Sequence, residues 1–143
     1  MAQIRRRKTS PVPDAAGDVD LVAAARAARA NSYSPYSKYA VGAALRGASG
    51  KVYTGVNVEN AAYPLTMCAE RAAIFAAVSQ GERTFDAIAV VTANGGTPCG
   101  ACRQVLAEFR VPRVIVAGKG RRTLTYTLAE LLPHSFDARK LPR

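Results

Sequence analysis

At 143 residues the chain has the length of one domain, and its 49% apolar content supplies a packed core and excludes global disorder. No apolar run reaches about 18 residues, so no membrane-spanning helix is expected. The formal net charge of +10 fits a nucleic-acid partner, an acidic partner or plain solubility.

Residues 1–17 read as a flexible basic tail. They carry Arg5, Arg6, Arg7 and Lys8, then Pro11, Pro13 and Gly17, with no apolar period. No aromatic residue is interleaved with these cations, which disfavours strand binding. No apolar stretch follows them, so no secretory leader is expected and the cytoplasm is the expected compartment. Residues 18–143 form the one expected folded domain, which carries all the motifs taken up below. Asp18 is placed as the cap of an alanine-rich helix running to about residue 30. Residues 33–37, with Pro35, break it. Residues 39–45 and 52–58 read as a hairpin turned at residues 47–50.

Residues 61–66 form a loop, and residues 68–78 a helix closed by Gly81. The apolar run 87–92 has the pattern of a strand buried on both faces. A turn-rich loop at 94–98 leads into a helix over 100–109. Short strands are predicted at 114–117 and 122–126. Thr127 and Glu130 have the spacing of a capping box for a helix ending near Leu132. Strand–helix alternation in the middle implies parallel crossovers. The predicted fold class is therefore α/β, a three-layer α/β/α sandwich around a mixed five-stranded sheet.

The chemistry is carried by three cysteines and one glutamate. Cys68 precedes Glu70 by two positions, and Cys99 and Cys102 follow Pro98 as Pro-Cys-x-x-Cys. An odd number of cysteines cannot all pair within one chain, and the spacing favours metal binding in a reducing compartment. Three thiolates can hold zinc and leave the fourth tetrahedral position open, as a catalytic site requires. The single histidine, His134, is the alternative fourth ligand that would close the site. Both cysteine segments fall at predicted helix starts, whose partial positive charge offsets the thiolates. Arg71 can add hydrogen bonds to the sulfurs. Glu70 lies close enough to serve as general acid and base at the open position.

These motifs resemble the small homotetrameric zinc-dependent cytidine deaminases. The likeness rests on residues 34–42 (SPYSKYAVG), 57–63 (NVENAAY), 68–74 (CAERAAI) and 98–105 (PCGACRQV), with Glu130-Leu131-Leu132-Pro133 and Phe136 beyond them. The resemblance implies one zinc per chain on Cys68, Cys99 and Cys102, with Glu70 as the proton shuttle. It implies that Asn57 and Glu59 hold the ribose 3′-hydroxyl and that Ala69 offers its backbone N–H to the base carbonyl. Tyr39 takes the place of an aromatic, often Phe, beside the pyrimidine. Phe136 is implied to reach the base in a neighbouring subunit, Tyr63 to line a neighbour's site, and Arg71 to bond the thiolates. The implied reaction is hydrolytic deamination of free cytidine and 2′-deoxycytidine in pyrimidine salvage.

Three rivals remain open to the sequence. One is a deaminase of a cytosine-containing antibiotic nucleoside, similar at the zinc motifs. Another acts on cytosine in nucleic acid, which the charge invites but Asn57 and Glu59 at a sugar end disfavour. The third is a non-catalytic, zinc-stabilised interaction domain.

Overall fold

A computed structural model describes residues 16–142; the expected N-terminal tail falls almost wholly outside them. Helix α1 (Asp18–Ala28) leads through a 3-10 turn to β1 (Gly42–Gly47) and β2 (Val52–Val56). There follow α2 (Ala69–Ser79), β3 (Phe85–Val91), α3 (Gly100–Glu108), β4 (Arg113–Ala117), β5 (Thr123–Thr127) and the short α4 (Leu128–Leu131). The strands form one sheet in the order β2-β1-β3-β4-β5. β3 and β4 run parallel across the α3 crossover, and every other neighbouring pair is antiparallel. The sheet is mixed and five-stranded, as expected.

Alternation along the strands sends side chains to two cores. Leu45, Ile88, Val90, Val114 and Val116 join Ile74 of α2 and Leu106 of α3 on one face. Ala44, Ala87, Ala89 and Ile115 meet Leu21, Val22 and Ala25 of α1 on the other. The α1 face is built of small residues, so the helix sits close. A Cβ on Gly42 would stand 2.1 Å from the Ala25 carbonyl oxygen. Gly55 serves α2 in the same way: a Cβ there would stand 2.4 Å from the Ala69 oxygen and from the Ala73 nitrogen. That glycine brings the first turn of α2 down onto β2.

The first strand begins later than its sequence pattern suggests, at Gly42 rather than residue 39. The backbone of residues 39–41 is claimed by side chains. The Tyr39 carbonyl accepts from Asn57 Nδ2 at 2.8 Å, Val41 N–H donates to Asn57 Oδ1 at 2.9 Å, and the Ala40 carbonyl accepts from Arg29 Nε at 2.8 Å. At the other end of the hairpin, β2 stops at Val56, and Val58 pairs instead with Tyr33 and Met67. β3 starts two residues earlier than the apolar run.

Asp18 is not the cap of α1. Gly17 occupies that position, with φ 87°, and Asp18 is the first helical residue, 1% exposed. Its carboxylate accepts from Arg113 at 2.6 and 3.0 Å and from Arg46 at 3.1 Å. Asp86 accepts from Arg46 Nε at 2.8 Å. This network ties α1 to β1, β3 and β4 at the end of the sheet where β3 and β4 begin. Removing one partner from a buried pair strands the others, at about 3–5 kcal/mol. Asp86, half exposed, keeps part of the compensation. Asp18→Ala is therefore expected to lower unfolding free energy by about 2–3 kcal/mol, read from denaturant unfolding. A loss under about 0.5 kcal/mol, the scale of an ordinary surface change, would mean that the arginines' remaining partners, Asp86 among them, satisfy both.

Candidate metal centre and cleft

The carboxyl end of β3 faces two helix starts. Cys68 precedes α2 and Cys99 precedes α3, both with extended backbone (ψ 152° and 168°). Neither side chain caps its helix, which leaves both sulfurs available to a common centre. Cys102 lies three residues beyond Cys99, hence on the same side of the first turn of α3, and is fully buried. The three Sγ atoms lie within 4.8 Å of one another, those of Cys68 and Cys99 3.9 Å apart. Two thiolates about 2.3 Å from a tetrahedral zinc stand about 3.8 Å apart, so the sulfurs fit that ion. Among the described residues no other Cys, His, Asp or Glu joins the group. His134 lines a separate cleft near the C-terminus with Arg110 and Arg139, so it does not close the site.

The surroundings favour thiolate at Cys68. Arg71 Nη2 donates to Cys68 Sγ at 3.5 Å. The Cys68 thiol is held down to about 5, first by the hydrogen bond shared with Cys102 and next by Arg71. The same shared proton, together with burial, pushes Cys102 up. Arg71 Nε is buried and has no hydrogen-bond partner. A guanidinium committed this way suits a cluster carrying negative charge.

Beside the cysteines opens a cleft of about 430 Å³, within the size range of small-molecule sites. Glu70 lies on it, 5% exposed. Burial raises its pKa, and the Cys68 charge adds to the effect. Cys68, Cys99 and Ala69 line it as well, together with Tyr39, Asn57 and Glu59. The Glu59 carboxylate accepts from the Tyr36 and Ser37 amides at 3.0 and 3.1 Å. Its pKa is lowered, first by the Ser37 hydroxyl. Tyr63 and Phe136 lie outside the cleft, 72% and 58% exposed. Tyr63 stacks edge-on against Tyr36, and the Phe136 carbonyl accepts from Gln104 Nε2 on α3 at 2.8 Å.

Sequence reasoning gave no role to several residues that shape this site. Arg103 donates to the Pro98 carbonyl (2.7 Å), to Thr97 Oγ1 (2.9 Å) and to the Leu131 carbonyl (2.7 Å). It thereby pins the turn before Cys99 to α4. Ser32 Oγ bonds Asn57 Oδ1, and Asn94 Oδ1 accepts from the Tyr39 hydroxyl. Arg103 and Ser32 lie inside or beside quoted motifs, yet spacing carries no sign of their partners.

Three thiolates between two helix starts, beside a buried glutamate two residues from the first sulfur, define a zinc-dependent nucleobase deaminase site. A family model described as the cytidine and deoxycytidylate deaminase zinc-binding region matches residues 17–118. A cytidine deaminase of Sporosarcina psychrophila is 49% identical over 126 residues, covering 85% of this chain and 92% of the relative. One of Halalkalibacterium halodurans is 47% identical over 122 residues, covering 82% and 92%. The crystal structure of cytidine deaminase from Burkholderia pseudomallei superposes with TM-score 0.79 at 45% identity, covering 82% of this chain and 98% of that one. The chain belongs to the zinc-dependent cytidine deaminase family.

Proposed function

We propose that this chain hydrolyses free cytidine and 2′-deoxycytidine to uridine and 2′-deoxyuridine, releasing ammonia, in pyrimidine salvage. The observation that carries the reading is the cleft itself, lined together by the buried Glu70 carboxylate, by Cys68 and Cys99 of the three-sulfur centre, and by Asn57 and Glu59. Zinc, when bound by Cys68, Cys99 and Cys102, supplies Lewis acidity and a water of lowered pKa. The chain's own residues do the rest. The Glu70 carboxylate takes a proton from the attacking water, passes it to the ring nitrogen N3, and carries the second proton to the departing 4-amino group. Glu59 and Asn57 hold the ribose 3′-hydroxyl, the Ala69 N–H meets the base carbonyl, and Tyr39 lies against the pyrimidine. Arg71 withdraws charge from the thiolates.

A carboxylate at the sugar end repels a phosphate, which favours nucleosides over nucleotides and polymers. The intact Asn57/Glu59 pair favours cytidine over an antibiotic nucleoside, and a buried proton-transfer group argues against a purely structural zinc domain. Three unpaired thiols support a reducing compartment, the cytoplasm. The test is loss of cytidine absorbance, set against cytosine, CMP, a cytosine-containing antibiotic and a single-stranded oligonucleotide. Only cytidine and deoxycytidine should react quickly; preferential turnover of any other would overturn the assignment.

We further read the active form as a homotetramer with shared sites. Phe136, exposed on the single chain, carries an aromatic ring suited to stacking on a pyrimidine, and a closed symmetric assembly would carry it into a neighbouring cleft. Light scattering should give about four chains, as the resemblance to the small homotetrameric deaminases implies. Mixed oligomers of Phe136→Ala and Glu70→Gln should regain activity that neither variant has alone. No rescue in demonstrated hybrids would place Phe136 in its own subunit.

A further inference from the structure

Tyr39 is held at both ends. Its carbonyl accepts from Asn57 Nδ2 at 2.8 Å and its amide donates to Ser37 Oγ at 3.0 Å, which fixes the backbone. At the far end of the ring, the hydroxyl donates to Asn94 Oδ1 at 2.7 Å. Asn94 is itself placed by its neighbours. Thr92 Oγ1 donates to the same oxygen at 3.3 Å while accepting from the Gly96 amide at 2.9 Å, and the Asn94 backbone bridges to Gly118. The space for the hydroxyl exists because residue 96 is glycine: a Cβ there would stand 2.6 Å from the Tyr39 oxygen. The bond links the segment before β1 to the loop that delivers Cys99, and the ring between them lines the cleft. Asn94 does not itself line the cleft.

We propose that Asn94 is a positioning residue for the nucleoside pocket, acting through the Tyr39 hydroxyl; the inference rests on the cytidine reading above. Tyr39 is 37% exposed and its ring, without a tether, is free to leave the base-facing position between encounters. The tether removes that freedom before the nucleoside arrives, and preorganisation of this kind raises affinity. Phenylalanine at residue 39 fills the same space and lacks the bond. The effect belongs to binding and not to proton transfer, so it falls on KM and leaves kcat nearly unchanged.

The experiment compares wild type, Tyr39→Phe, Asn94→Ala and the double variant by KM and kcat for cytidine and by calorimetric affinity for uridine. Each single substitution should raise KM and weaken uridine about three- to ten-fold, the worth of one neutral hydrogen bond. The double variant should be no worse than either single, because both remove one interaction. Gly96→Ala adds a third arm: its methyl displaces the hydroxyl, so its cost should be clear in wild type and much smaller in Tyr39→Phe. Additive losses, a fall confined to kcat, or unchanged KM and uridine affinity in a wild type that does deaminate cytidine would overturn the tether alone. A wild type that neither turns over nor binds these nucleosides would remove the functional reading and the tether with it.

Discussion

Glu70→Gln is expected to lower cytidine turnover by about 10²–10⁴-fold, the usual contribution of a general acid–base group, with zinc content unchanged. Glutamine keeps the shape and the hydrogen-bonding reach of the side chain but cannot carry the proton. In the proposed reaction one carboxylate serves both transfers, and among the described residues no other carboxylate, histidine or lysine lines the cleft except Glu59, which the Ser37 and Tyr36 groups already hold. Loss of activity is separable from loss of fold through the sign of the stability change. Burial raises the folded-state pKa of Glu70 above its ordinary value. Its contribution to stability is therefore fully present below the unfolded pKa, about 4.3, and is lost as pH rises through the folded value. Glutamine, which never ionises, escapes that loss. With both proteins stripped of metal, the variant should melt at or above the wild-type temperature near pH 7, and the difference should shrink as pH falls toward 4. A variant that keeps more than about a tenth of wild-type turnover, far outside the range for such a group, would remove Glu70 from the proton path.

The centre of this site was legible because ligand chemistry is written in spacing. Cys68 and Glu70, then Cys99 and Cys102, lie near one another in sequence and at helix starts, so local geometry alone brings each pair to the same spot. The continuous apolar runs of β3 and β4 and the Thr127/Glu130 capping box were legible because they too are local patterns. What escaped were interactions closed across long separations. Asn57 reads as part of the second hairpin strand and, by resemblance, as a sugar contact, yet its carboxamide captures the backbone of residues 39–41 and delays β1. Asp18 has the residue type and place of a helix cap, but two arginines from β1 and β4 make burial a better use of its charge. Arg103 and Asn94 sit in plain view in the sequence, and nothing local says that one clamps the turn before Cys99 or that the other meets Tyr39. Their partners are set by the sheet order, which brings α4 to α3 and the segment before β1 to the loop after β3.

Replacing a cysteine should cost more than replacing Glu70, because it removes the centre and not one step. Cys99→Ala and Cys102→Ala are each expected to lower zinc from about one per chain to near none and to abolish turnover. Two thiolates cannot match the affinity of three, and zinc bound to folded protein alone stabilises it by mass action. The two variants should nonetheless differ in stability, since Cys99 is exposed and Cys102 is fully buried among α2 and α3. Cys99→Ala loses the metal alone, so its melting temperature should match that of wild type stripped with a chelator. Cys102→Ala also leaves a small void in a packed site, at about 1 kcal/mol, and should fall below the stripped wild type. Metal analysis, turnover and thermal melts with and without chelator read all three effects. Active wild-type protein without zinc would end the metal reading. Equal melts for the two variants under chelator would show that Cys102 contributes only its sulfur to the ion and nothing to the core.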